Sequence, residues 1–318
     1  MGNILITGSM GQIGSELVLY LRERYGADRV IASARRSKAD NGVIEGGQFE
    51  ILDVTDAQKT VSLVEKHQVD TIYHLASILS AKGEKDPQKL WKVNMDGLVN
   101  VLEAARIYNC SVFFPSSVAV FGPGTPKDNT PQNTITRPAT IYGISKFTGE
   151  LLCDYYHQKF GLDIRGLRYP GLVSNAVLPG GGTTDYAVHI FYDALKYGKH
   201  TCFLRADSSL DMIYMPDALR GAVQLMEADN ARLINRNAYN VSAMSFTPDD
   251  LYAEIKKHLP DFQVEYSVDP ERQAIADSWP NSLDDSAARD EWGWNPEYDL
   301  AKMTADMLEV LEKKIKAG

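Results

Sequence analysis

The sequence predicts an α/β fold, a doubly wound parallel sheet followed by a smaller mixed α/β unit. Three observations carry this. Short apolar runs without polar alternation recur through the first half, separated by amphipathic helical stretches. Strands buried on both faces read in this way, so the pattern means a parallel sheet with helices on both sides. A glycine-rich turn joins the first apolar run to the first helical stretch, and the chain has 318 residues, a length that suggests about two domains.

In order, Asn3–Thr7 (Asn-Ile-Leu-Ile-Thr) reads as a buried strand and Gln12–Tyr25 as a helix. Arg29–Ala34 and Phe49–Asp53 read as the next strands, Ala57–His67 as a helix and Thr71–Leu75 as a strand. A helix over Leu90–Tyr108, a strand over Ser111–Pro115, a long helix over Tyr142–Phe160 and a strand over Asp163–Arg168 complete the alternation, which is the signature of stacked strand–helix–strand units. The second half differs. Leu178–Thr184 is a loop by its glycine content. Helices are expected over Tyr186–Tyr197, over Pro216–Ala228 with Asp217 as candidate N-cap, and over Pro248–His258 after Thr247. The tail Ala301–Lys316 is amphipathic with a basic end, which suits the helix dipole. No internal repeat is visible. Residues 1–170 are therefore expected to form one domain. Residues 171–318 are expected to form mainly a second, partly returning to the first.

Composition excludes several classes. Apolar residues are 44% and charged residues 24%, ordinary for a globular chain with a sizeable core. The net charge of −9 argues against general nucleic-acid or anionic-membrane binding, which need clustered positive charge. Cys110, Cys153 and Cys202 form no Cys-x-x-Cys pair, so neither zinc, another structural metal nor a disulfide frame is expected, and a reduced cytoplasmic setting is. A strand-like run begins almost at once, with no charged segment leading into an apolar one, so no signal peptide is expected. No apolar run approaches the roughly 18 residues of a membrane span.

The glycine turn is Gly8-Ser9-Met10-Gly11-Gln12-Ile13-Gly14. One glycine permits a tight turn, the next lets backbone approach a pyrophosphate, and the third lets the helix pack on the strand. The following helix N-terminus offers unpaired N–H groups and a partial positive charge. Placed between first strand and first helix, the turn predicts dinucleotide binding through Gly8, Met10, Gly11, Gln12, Ile13 and Gly14.

Tyr142-Gly143-Ile144-Ser145-Lys146 puts a phenol and an ammonium on one helix face. A tyrosine hydroxyl titrates near pH 10, so alone it is a poor base. A nearby cation lowers that value, and Lys146 is expected to act so. Ser117, at the end of a strand, has a hydroxyl to steer a substrate oxygen toward Tyr142. Ser117, Tyr142 and Lys146 are the candidate acid–base machinery.

These residues resemble the Ser/Tyr/Lys triad of the extended short-chain dehydrogenase/reductase family of Rossmann-fold enzymes. The wider Gly-x-x-Gly-x-x-Gly spacing is similar too, and the resemblance covers nearly the whole chain. It implies that Asp53 and Val54 meet the adenine and that Leu75, Ala76 and Ser77, after His74, lie over the cofactor. Asn94 falls in a helix that buttresses the site, and Asn94, Tyr142, Lys146, Tyr169 and Leu172 are placed against the cofactor. It also implies a homodimer through the helices near Leu90–Tyr108 and Tyr142–Phe160.

Within that family the epimerase-like pattern carries an asparagine two residues after the tyrosine of Leu167-Arg168-Tyr169-Pro170-Gly171. Gly171 stands there instead and has no side chain to hold a nucleotide diphosphate. Pro179–Ala187, Asp211–Ala218, Asp277–Pro280, Ser282–Arg289 and Trp292–Trp294 resemble the short-chain-type L-threonine 3-dehydrogenases. That resemblance implies NAD-dependent oxidation of the L-threonine β-hydroxyl. Ser80, Ser117, Tyr142, Gly182 and Thr184 would face the substrate, and backbone N–H groups of the glycine loop would lie near its carboxylate. The alternatives are a nucleotide-sugar epimerase or dehydratase, which Gly171 opposes, and a non-catalytic NAD-binding regulator, which the presence of both Tyr142 and Lys146 opposes.

One departure concerns the cofactor. NAD sites commonly carry Asp or Glu about 20 residues past the glycine loop. Here the second strand ends Ser33-Ala34-Arg35. Ser33 is expected to bond the ribose, and Arg35 either to attract a 2′-phosphate, to stack on the adenine or to point to solvent. Ala34 implies weaker exclusion of NADP than an aspartate would give.

Overall fold

The structure is a computed structural model and describes residues 2–37 and 42–317. Its strands are β1 (Asn3–Thr7), β2 (Val30–Ala34), β3 (Phe49–Ile51), β4 (Val69–His74), β5 (Ser111–Ser117), β6 (Ile164–Tyr169), β7 (Gly171–Val173), β8 (Lys199–Cys202), β9 (Leu210–Tyr214), β10 (Tyr239–Asn240), β11 (Met244–Phe246) and β12 (Gln263–Tyr266). Seven of them form one sheet in the order β3-β2-β1-β4-β5-β6-β10, with every pair parallel. The order reverses between β1 and β4, and open parallel sheets bind ligands at such a switch point, beyond the strands' carboxyl ends.

The helices are α1 (Gln12–Tyr25), α2 (Ala57–Lys66), α3 (Ser80–Lys85), α4 (Pro87–Trp91), α5 (Gly97–Tyr108), α6 (Ile141–Phe160), α7 (Tyr186–Tyr197), α8 (Met215–Glu227), α9 (Pro248–His258), α10 (Pro270–Asp277), α11 (Ser286–Trp292) and α12 (Leu300–Ala317). One sheet face is covered by α1, α8 and α11 through Leu17, Leu21, Ala222, Leu225 and Trp292. The other is covered by α2, α5 and α6 through Val64, Leu98, Val101 and Cys153. A third core joins α7, α9 and α12 to β7, β9 and β11, and β11-β9-β7 form a small mixed sheet beside it. The later part of the chain also returns to the large sheet, since β10 pairs with β6.

Three expectations change. The stretch read as one helix over Leu90–Tyr108 comprises α4, a π-helical turn at Lys92–Asp96, and α5. Asp217 does not cap α8, which starts at Met215 after Tyr214. Its carboxylate is buried and accepts the N–H groups of Glu297 and Tyr298 at 3.0 Å, tying α8 to the segment before α12. Strands β7, β8, β9, β11 and β12 carry no local signal, being pairings of three or four residues across distant segments.

Candidate active site

Beyond the carboxyl ends of β1, β4, β5 and β6 lies a groove with two chambers of about 210 Å³ and 610 Å³. Gly8, Gly11, Leu75 and Ser77 line both, so the chambers are continuous. Gly8 makes the junction possible. Its φ is +70°, and a Cβ there would sit 2.6 Å from the Ala76 nitrogen, so only glycine lets the two loops approach this closely. Gly11 caps α1 without a side-chain acceptor, leaving first-turn N–H groups available at the groove. The Gln12 Nε2 is buried and has no partner among the described residues.

At the far end of the smaller chamber α6 presents its first turn. Thr140 caps that helix, its hydroxyl accepting the Gly143 N–H at 3.0 Å. A Cβ on Gly143 would lie 2.1 Å from the Ala119 carbonyl oxygen. The missing side chain therefore lets α6 rest on the 3-10 turn Val118–Val120, which brings Tyr142 within hydrogen-bonding reach of Ser117. Burial pushes the Tyr142 hydroxyl up to about 12, and the Ser117 hydrogen bond opposes it only in part. Burial thus outweighs the lowering expected from Lys146. Lys146 Nζ lies 5.7 Å from the Tyr142 ring centroid and donates to the Pro115 carbonyl at 2.7 Å. Burial brings its own value down to about 8, because desolvation disfavours whichever form is charged.

The segment after β7 closes the smaller chamber. Gly182, Thr183, Thr184 and Asp185 line it, with Ser80 and Trp279. The N–H groups of Gly181 and Gly182 were expected to face a substrate carboxylate. They donate instead to Asp185 Oδ2, at 2.9 and 2.7 Å. Thr183 Oγ1 is buried without a partner among the described residues.

The structure brings most of the expected site residues to this groove: Gly8, Gly11, Gln12, Ile13, Gly14, Ser80, Ser117, Tyr142, Lys146, Tyr169, Leu172, Gly182 and Thr184 in the smaller chamber, and Met10, Arg35, Asp53, Val54, Ala76 beside Leu75 and Ser77 in the larger. Two do not reach it. Ser33 is fully buried and its hydroxyl donates to the Ile6 carbonyl at 3.0 Å. Asn94 lies behind the groove, where its Oδ1 accepts the Ile78 N–H and its Nδ2 donates to Ser145 Oγ, pinning the loop after β4 to α6. Sequence reasoning missed Thr183, Asp185 and Trp279. Thr183 adjoins the expected Thr184, and Trp279 lies in a quoted motif, but nothing local tells which neighbour faces inward.

Gly171 opens β7 in a place without room. A Cβ there would meet Met212 Sδ at 2.2 Å and Thr184 Cγ2 at 2.7 Å. Met212 is fully buried, so its side chain must repack to admit one. Gly171→Asn is expected to cost about 1–3 kcal/mol through overpacking. Chemical denaturation reads this, and an unchanged midpoint would mean that the segment carrying Thr184 yields freely.

The profile of the NAD dependent epimerase/dehydratase family matches residues 4–242. An uncharacterized epimerase/dehydratase of Staphylococcus haemolyticus is 52% identical over 314 residues, 99% of each chain. Among solved structures, an L-threonine dehydrogenase from Clostridium difficile is similar with a TM-score of 0.97 at 56% identity, covering 99% of this chain and 98% of that one. A monomeric L-threonine 3-dehydrogenase of metagenomic origin is similar with a TM-score of 0.94 at 46% identity, covering 98% and 99%. With a profile match over most of its length and relatives similar from end to end, the chain belongs to the NAD dependent epimerase/dehydratase family.

Proposed function

We propose that the chain is an NAD-dependent L-threonine 3-dehydrogenase, oxidising the β-hydroxyl of L-threonine to 2-amino-3-oxobutanoate with formation of NADH. The observation that carries this is the meeting of Ser117, Tyr142 and Lys146 at one end of a small chamber, closed opposite by Gly182–Asp185. The similar solved dehydrogenases support the same substrate.

The groove fits a dinucleotide. The uncapped N-terminus of α1 and the unpartnered Gln12 amide suit phosphates. Gly8, Met10, Gly11, Gln12, Ile13 and Gly14 would hold them. Asp53 and Val54 would lie at the adenine, and Leu75, Ala76 and Ser77 beside the groove's middle. Residues 1–170 would thus carry the cofactor and much of 171–318 the substrate. When bound, NAD would supply the hydride acceptor. Tyr142 as phenolate would take the β-hydroxyl proton and become the neutral phenol, Ser117 would orient that oxygen, and the Lys146 charge would favour the phenolate from which the transfer starts. The segment Gly182–Asp185 and Ser80 hold the amino-acid end, giving the orientation that the reaction needs. The test is to mix purified protein with NAD and L-threonine. NADH accumulation is expected, and its absence with threonine but turnover of a nucleotide sugar would reverse the reading.

Thr183→Val removes a hydroxyl while keeping shape. A hydrogen bond to a charged group contributes about 1.5–3 kcal/mol, so KM for L-threonine should rise roughly tenfold or more. Thermal stability should not fall, because the hydroxyl has no partner within the described residues. Thr184→Ala should raise KM likewise. NAD affinity should hold in both variants. An unchanged KM in Thr183→Val would leave Thr183 a packing residue.

The chain is further proposed to be a cytoplasmic homodimer. Its three cysteines are free and buried, in keeping with a reducing compartment. Leu151 and Tyr155 on α6 are 55% and 52% exposed, and Val99 and Ile107 on α5 are also exposed, an apolar stripe suited to a partner helix pair. Leu151→Glu should then halve the mass in sedimentation. A monomeric parent would refute the dimer.

A further inference from the structure

Among the described residues, the strand end facing the larger chamber carries two cations and no carboxylate. β2 ends at Ala34, and Ala34, Arg35 and Arg36 all line that chamber. In NAD-selective sites an acidic side chain here bonds the ribose 2′-hydroxyl and repels a 2′-phosphate, whereas a nearby arginine accommodates the phosphate. Among the described residues no other group at this end supplies the exclusion. Ser33, the remaining candidate for a ribose bond, is spent on the Ile6 carbonyl inside the sheet. Asp53 is turned onto its own loop, its Oδ1 accepting the Thr55 N–H at 3.1 Å and the Thr55 hydroxyl at 2.8 Å. Desolvation works to raise its pKa, but the Thr55 bonds and the nearby Arg35 charge outweigh it and hold the group low. Asp86 caps α4 by accepting the Lys89 N–H at 3.2 Å.

The charge balance points the same way. Arg35, Arg36, Lys82 and Lys89 line the chamber against Asp53 and Asp86. This is a locally cationic site in a chain whose net charge is −9. Both arginines are exposed, so neither needs to leave a buried partner in order to engage a ligand. The small Ala34 side chain leaves the ground between strand end and groove open.

We infer that Arg35 and Arg36 form a phosphate subsite, so that the chain binds dinucleotides bearing a 2′-phosphate on the adenosine ribose (NADP) as well as NAD. The inference rests on the dinucleotide reading of the groove given above. A phosphate monoester carries a charge of roughly −1.5 to −2 at neutral pH. A guanidinium pairs with it through two parallel N–H donors, which an ammonium cannot do. Arg35 supplies such a fork where the strand ends, and Arg36 adds a second cation. Because both are exposed, the gain should weaken as salt rises.

The test is equilibrium binding, read by cofactor fluorescence without turnover. NADH and NADPH are titrated into the full chain, and 2′,5′-ADP and ADP compete against bound NADH. NADPH is expected to bind within tenfold of NADH or tighter, and 2′,5′-ADP to compete better than ADP. Arg35→Ala should shift the NADPH-to-NADH affinity ratio at least tenfold toward NADH, and Ala34→Asp should shift it in the same direction. NADH binding with NADPH more than tenfold weaker would overturn this inference while leaving the NAD reading intact. A ratio unmoved by both substitutions would overturn the assignment to this strand end. Binding of neither cofactor would overturn the dinucleotide reading and this inference together.

Discussion

Tyr142→Phe lowers kcat for L-threonine oxidation by roughly 10²–10⁴-fold, the usual worth of a positioned acid–base group. The ring and its contacts with the C-terminal core remain, so folding and NADH affinity should change little. The pH profile adds a second readout. Burial pushes the hydroxyl up to about 12, and oxidation needs the deprotonated form. Activity of the parent protein should therefore climb as pH rises from neutral. The residual activity of Tyr142→Phe should lack that climb. Near-normal turnover in this variant would remove Tyr142 from the chemistry.

Glu150→Ala should cost about 3–5 kcal/mol of stability, the range for breaking a buried ion pair from one side. Glu150 sits one turn beyond Lys146 on α6, and its side chain is 5% exposed. Arg168 on β6 donates to both carboxylate oxygens, at 3.0 and 2.9 Å. Removing the carboxylate leaves a guanidinium in the interior with only the Gln132 carbonyl and Asn240 Oδ1 as acceptors. Replacing both partners, as Glu150→Leu with Arg168→Met, should recover much of the loss, since neither charge of that pair then stays buried alone. Urea denaturation measures both. A loss below about 1 kcal/mol in Glu150→Ala would mean that Arg168 reaches solvent when its partner is gone.

The readable parts of this molecule are those whose physics is local. The glycine turn, the Tyr142–Lys146 spacing and the strands β1 and β2 follow from a few adjacent residues and from burial on both sheet faces. What failed depends on one-residue orientation or on distant partners. Ser33 and Ala34 are neighbours on one strand, and only the register of β2 decides which one reaches the groove. Thr183 and Thr184 pose the same problem in a loop. Asp217 looked like a cap because its partners, the N–H groups of Glu297 and Tyr298, lie far along the chain. Asp185 took the loop N–H groups of Gly181 and Gly182 that were expected to face a ligand, a contact that appears only once the loop has folded. The raised Tyr142 value likewise reflects enclosure by β5, α6 and the C-terminal core, which no spacing of residues reveals.

In the proposed reaction the β-carbon of L-threonine surrenders its hydrogen as hydride while Tyr142 receives the hydroxyl proton. L-threonine deuterated at the β-carbon, incubated with the purified protein and NAD, tests it most directly by mass spectrometry of the reduced cofactor. One deuterium is expected in each NADH formed, with the rate falling together with kcat in Tyr142→Phe. Formation of unlabelled NADH, or none at all from L-threonine, would contradict it.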